Sequence, residues 1–121
     1  MAAYPIVHLE ISAKDPAAAD KFYSSVFGWK IEVDQQYNYH QFQAEGGPGG
    51  AFVELGELYK AGDVVPYVGV DDVDAALSKV VKAGGKIVKP KAEIPGFGWW
   101  ALFADPNGNR IGLFAELAHH G

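Results

Sequence analysis

Any chemistry in this 121-residue chain has to come from a small set of side chains. His8 and Glu10 stand two residues apart in Val7-His8-Leu9-Glu10-Ile11, an imidazole and a carboxylate able to bind a divalent metal or to move protons. Glu54 ends a later apolar stretch and offers a second carboxylate, with His40 and Glu116 as further donors. Tyr67, Trp99, Trp100, Arg110 and Phe114 supply rings and a guanidinium of the kind that line small-molecule sites. The chain has no cysteine, which excludes a thiolate metal site, a cysteine nucleophile and a disulfide framework. No Gly-x-Ser-x-Gly elbow marks a serine nucleophile. Gly46-Gly47-Pro48-Gly49-Gly50 lacks the Lys and Ser or Thr of a phosphate loop and reads as a flexible hairpin loop. His119 and His120, at the C-terminal end, are expected to carry no specific role.

Strand alternation decides which of these groups can meet. From Ile6 to Ile11 the odd positions Val7, Leu9 and Ile11 are apolar, so they face a helix and His8 and Glu10 face away from it. By the same parity Val68 and Val70, then Ile111 and Leu113, pack under a helix. Val65, Tyr67 and Gly69, and Arg110, Gly112 and Phe114, then share the other side with His8 and Glu10. The stretch Tyr37 to Gln43 has no plainly apolar side, so its facing is open. Trp99 and Trp100 must point to opposite faces, one into the core and the other into a cavity or interface.

The positioning elements occur twice. Asp15 and Asp72 each follow a strand-like run and can cap a helix N-terminus, with Pro16 at the first helical position of the first copy. Ala19, Phe22, Tyr23 and Val26, and then Leu77, Val80 and Val81, recur at three- and four-residue spacings and predict one apolar face per helix. Gly28 and Gly84 follow where a left-handed residue ends a helix. Three short strands come next in each copy: Lys30 to Val33, Tyr37 to Gln43 and Ala51 to Leu55, then Lys86 to Val88, Trp99 to Phe103 and Arg110 to Phe114. The expected fold class is α+β, with two tandem βαβββ modules forming a cupped eight-stranded mixed sheet and helices on its outer face. A single domain over 1–121 is expected, with module one at 1–56, a linker at 57–65 and module two at 66–121.

The chain is 49% hydrophobic, enough for a real core, and carries 10 Lys plus Arg against 15 Asp plus Glu, a net charge of −5. No basic cluster is visible along the sequence, so nucleic acid is not an expected partner, and the acidic balance favours a cationic ligand. There is neither a long apolar run nor a basic, apolar leader at Met1-Ala2-Ala3-Tyr4-Pro5, so no membrane partner is expected and the expected location is the cytoplasm.

Val7-His8-Leu9-Glu10-Ile11, Asp15-Pro16 through Phe22-Tyr23, Val26-Phe27-Gly28-Trp29, Tyr67 through Ala76, Gly84-Gly85-Lys86 and Asp105-Pro106-Asn107-Gly108-Asn109, taken together and in order, resemble the vicinal oxygen chelate superfamily of glyoxalases, bleomycin resistance proteins and extradiol dioxygenases. The resemblance spans nearly the whole chain and implies the paired-module fold. It implies four inward metal-ligand positions; His8 matches the first, Glu54 is the candidate for the second, and the other two are Val65 and Gly112, which offer no ligand atom. At most half of the set is present, unless Glu10, His40, Glu116 or a partner chain substitutes. The implied function is a small-molecule-binding glyoxalase- or bleomycin-resistance-like protein, a homodimer, without a complete family metal site. His8, Glu10, Tyr67, Arg110, Phe114, Trp99 and Trp100 are its candidate ligand-binding residues. The alternative is a divalent-metal-dependent lyase, isomerase or dioxygenase with His8 and Glu54 as metal ligands and Glu10 as catalytic base.

Overall fold

A computed structural model describes residues 3–117, so His119 and His120 lie outside the described residues. The elements are β1 (Ile6–Ala13), α1 (Pro16–Phe27), β2 (Lys30–Asp34), β3 (Tyr39–Gln43) and β4 (Gly49–Glu54), then β5 (Val64–Gly69), α2 (Val73–Lys82), β6 (Lys86–Ile94), β7 (Gly98–Ala104) and β8 (Arg110–Glu116). This is the strand, helix and three strands predicted twice. The chain forms two compact units, one of them Val7–Pro66 and the other the remainder of the described residues.

In the first unit the strands lie in the order β2-β3-β4-β1. β1 runs parallel to β4, and β3 is antiparallel to both β2 and β4. The second repeats the pattern as β5-β8-β7-β6, with β5 parallel to β8 and the other pairs antiparallel. Each helix is the crossover that a parallel pair requires. Its start is fixed by the predicted caps: Asp15 accepts from the Ala18 N–H and Asp72 from the Ala75 N–H. Gly28 ends α1 at φ 72°, and Gly84, just beyond α2, has φ 99°.

Several boundaries differ from the sequence expectation. β1 continues to Ala13, and β5 starts at Val64, inside the stretch read as linker. β6 extends to Ile94 because two register shifts, between Ile87 and Lys89 and between Lys89 and Ala92, carry the pairing past Pro90. The apolar helix faces are narrower than expected. α1 meets its sheet through Pro16 and Tyr23, while Phe22 and Val26 stand to one side and remain 57% and 56% exposed. On α2, Val73 and Leu77 are buried, but Val81 is exposed. Val7 is exposed as well, since the β1–β4 pairing begins one residue later, at His8.

Beneath α1 the core is aromatic: Tyr23 stacks on Phe52 and Trp29, and Trp29 stacks on Phe42 at a centroid distance of 4.5 Å. Beneath α2, Val73, Leu77, Ala101, Leu113 and Ala115 form a closed cluster, with Val68, Val70, Trp99 and Phe103 packed against it. Trp99 is therefore the core tryptophan of the adjacent pair, and strand alternation turns Trp100 to the opposite face.

Candidate functional site

Register fixes the facing that periodicity left open. His40 and Ile11 both pair with Phe52, and Phe42 pairs with Gly50, so these side chains share the face that meets α1. Glu10 and Gln41 both pair with Ala51, so His8, Glu10, Tyr39 and Gln41 occupy the face turned away from the helix. The strands approach closely at Gly50. A Cβ there would lie 2.0 Å from the Leu9 carbonyl oxygen and 2.5 Å from the Phe42 ring, so no larger residue keeps this spacing.

Glu10 is the centre of the helix-free face. It is only 8% exposed. A buried carboxylate survives where donors replace its lost water, and here two phenols do so: the Tyr39 hydroxyl donates to Oε2 and the Tyr59 hydroxyl to Oε1. Tyr59 reaches it from the turn after β4, where the Gly56 N–H donates to the Tyr59 carbonyl and the Lys60 N–H to the Asp63 carboxylate. The Ser12 N–H, donating to the Asp63 carbonyl, ties that turn back to β1.

His8 completes the network, with Nε2 2.8 Å from the Tyr39 oxygen and 3.4 Å from Glu10 Oε2. Proton bookkeeping assigns the tautomer. Tyr39 spends its one proton on Glu10, so it can only accept from His8, and the His8 proton must sit on Nε2. Burial pushes the Glu10 carboxyl up, but the hydrogen bonds from His8, Tyr39 and Tyr59 outweigh it and hold the group below its ordinary value. Burial, reinforced by the Glu10 charge, drives the Tyr39 phenol up. The pair is therefore a fixed carboxylate and a fixed proton donor at neutral pH. Glu10, buried, saturated and already ionised with a lowered pKa, is a poor general base; it orients Tyr39 and through it the imidazole of the partly exposed His8.

Other donors fall elsewhere. His40 Nδ1 lies 2.5 Å from Asp20 Oδ2 on the face packed against α1, where it ties the helix to the sheet. Glu54 pairs with Ala13, so alternation places it on the Phe52 face, opposite to His8 and Glu10, with its side chain in solvent. His8 and Glu54 thus do not converge, which corrects the expected ligand pair; the parity of β4 decides it. Among the described residues no group of three or more His, Cys, Asp or Glu side chains is placed to hold a metal.

In the second unit Tyr67 pairs with Gly112 and is 4% exposed. A Cβ at Gly112 would stand 2.3 Å from the Tyr67 ring, so that ring fills the space a ligand side chain at 112 would need. Trp100 pairs with Phe114 on this helix-free face, with the Lys89 ammonium 5.7 Å from the centre of the Trp100 ring. Arg110 pairs with Ala104 on the same side. Trp99 lies on the other side, against the α2 core and under Lys91. Tyr39 and Tyr59 are the residues that sequence reasoning did not place in the site. The alternation of β3 could have delivered Tyr39 had its buried side been known; for Tyr59 the only signal is an aromatic residue in a polar turn.

The Glyoxalase/Bleomycin resistance protein/Dioxygenase superfamily model matches residues 5–113, and the chain belongs to this family. A glyoxylase-like domain-containing protein of Didymella fabae is 31% identical over 112 residues, 84% of this chain and 85% of its own. A Mycobacterium tuberculosis protein named provisionally as a glyoxylase, CFP32, is 31% identical over 93% of this chain but 46% of its own length. The chain thus spans about half the length of the curated mycobacterial and Streptomyces relatives it matches. Methylmalonyl-CoA epimerase from Mycobacterium tuberculosis shares the fold at a TM-score of 0.69 and 17% identity, over 98% of this chain and 94% of that one. The Mn(II)-bound glyoxalase from Novosphingobium aromaticivorans does so at 0.63 and 24%, over 95% and 39%.

Proposed function

We propose that this protein binds a small organic molecule on the helix-free face of its first unit and does so without the superfamily's bound divalent metal. The carrying observation is Glu10: both of its oxygens are held by tyrosine hydroxyls, and His8 Nε2 is directed at Tyr39. Groups committed to each other in this way form a preorganised polar floor with a partly exposed imidazole at its edge. They would have to be pulled apart to ligate a cation. The helix-free face of the second unit, taken by itself, carries Trp100 beside Phe114 as an apolar surface. A thermal-shift screen of small organic compounds tests the reading. Ligands should raise the melting temperature of the native protein and lose that effect in His8→Ala and Tyr39→Phe. Stabilisation that survives both substitutions would place binding elsewhere.

An acid–base reaction is the second reading, favoured by the His8–Tyr39–Glu10 chain, in which a buried carboxylate orients a phenol and an imidazole. In that case His8 exchanges the proton and Glu10 only positions. We also propose a cytoplasmic homodimer. The cysteine-free composition suits a reducing compartment. Exposed Phe22, Val26 and Phe27 on α1, together with relatives of about twice this length, suit a pairing of two copies.

A further inference from the structure

We propose that the cleft between α2 and β6 is a further binding site, which takes a small molecule with an apolar chain and a carboxylate head group. It lies within the second unit, on the helix side of that unit's sheet, so it does not depend on the ligand site proposed for the first unit. The cleft has a volume of about 480 Å³, and its walls are Leu77 and Val81 of α2 and Ile87 and Pro90 of β6, with Ser78 and Lys82 along the helix rim. That volume is within the range of about 300–1,000 Å³ that small-molecule sites occupy. Leu77 belongs to the core, but Val81 and Ile87 are 52% and 46% exposed. They are the part of the apolar α2 face, and of the strand beside it, that the core leaves uncovered.

Charge and size choose the occupant. The acid among the lining residues is Asp74, and it is ion-paired with Lys91 at 3.5 Å. No Asp or Glu occurs from Ala75 to Ala92, so the acidic balance of the whole chain does not hold here. Lys82 is not needed to cap α2, because the Ala83, Gly85 and Gly84 N–H groups take the carbonyls of Lys79, Val80 and Val81. A helical side chain leans toward the helix N-terminus, so Lys82 reaches back over Ser78, away from the negative end of the dipole. An ammonium and a hydroxyl one turn apart can then share one carboxylate, while its apolar chain lies on Val81 and Ile87. From Asp74 to Lys82 the helix axis spans about 12 Å, far less than the 20–30 residues a side, roughly, of a stable protein interface. An extended peptide is also poorly suited to add as a strand, since Pro90 offers no N–H and two register shifts distort β6.

The test is a titration of the full-length, 15N-labelled protein with hexanoate, with neutral 1-hexanol and with acetate, followed by amide shifts. Hexanoate should move the amides of Ser78, Val81, Lys82 and Ile87 saturably. Hexanol and acetate, each lacking half of the recognised chemistry, should bind there at least about tenfold more weakly, the effect of one charge-assisted contact or of the buried chain. Lys82→Gln, at an exposed position, should weaken hexanoate about tenfold and leave hexanol unchanged. Val81→Ser should weaken both, and Ile87→Ser replaces it if that variant fails to fold. Scattered shifts, no saturation, or hexanoate affinity unchanged in Lys82→Gln would overturn the site. Equal binding of hexanol would overturn the anionic head group, and equal binding of acetate the apolar chain. Hexanoate that shifts Tyr39 and Tyr59 but not Val81 and Lys82 would overturn the cleft while leaving the first unit's ligand site intact.

Discussion

Tyr59→Phe removes one hydroxyl and keeps the ring, and so isolates the hydrogen bond that Tyr59 donates to Glu10 Oε1. The acceptor is a charged group only 8% exposed, so water cannot readily replace the lost donor. A hydrogen bond to a buried charge is worth about 1.5–3 kcal/mol. Taking about 2 kcal/mol and about 4 °C per kcal/mol for a chain of this size, the melting temperature at pH 7 should fall by about 8 °C. The loss should also depend on pH. The folded value of Glu10 is lowered, so its contribution is complete above the unfolded value and disappears as pH falls through the folded one. Without Tyr59 the folded value moves back up, so less of that contribution exists to be lost. Native and variant melting temperatures should therefore differ most near neutral pH and converge in acid. Circular dichroism melts from pH 7 down to pH 3 measure this. An unchanged melting temperature at pH 7, or a gap that widens on acidification, would refute the assignment of Tyr59 as a donor to an ionised Glu10.

Gly112→Ala should destabilise by about 1–3 kcal/mol, because its Cβ would lie 2.3 Å from the Tyr67 ring; an unchanged denaturant midpoint would mean that the ring turns aside freely. Asp20→Ala should cost about 3 kcal/mol, since it strips the buried His40 of its partner, and Asp20→Asn should cost less. Equal losses in the two variants would show that only packing matters at that contact. Phe22→Ser should leave the fold intact and convert a dimer into a monomer in light scattering, because the ring is 57% exposed on α1; a dimer that persists would move the interface elsewhere.

The two-module fold was legible because its signals are local. Asp15, Pro16, Gly28, Asp72 and Gly84 punctuate the helices at nearly equal spacing, and each mark reflects one backbone demand, a free N–H or a positive φ. The facing of β1 was equally readable from Leu9 and Ile11. What failed needed partners distant in sequence. β3 has aromatic and polar side chains on both faces, and only its register with Gly50 and Phe52 shows that His40 and Phe42 are interior. Glu54 looked like a ligand until the parallel register with β1 placed it on the wrong side. Tyr59 is drawn to Glu10 by a turn whose geometry depends on Asp63 and Ser12, which periodicity does not record. Phe22 and Val26 match the apolar spacing of a buried face, yet α1 buries only the narrower stripe around Pro16 and Tyr23.

The most direct test of the central claim is metal content. The untagged protein would be purified without chelator, dialysed against Mn, Fe, Ni or Zn and then against metal-free buffer, and analysed by mass spectrometry alongside His8→Ala. With Glu54 on the opposite face and Tyr67 over Gly112, both proteins should retain far less than one metal per chain. Near-stoichiometric metal in the native protein that is lost in His8→Ala would contradict the account and assign His8 to a metal centre.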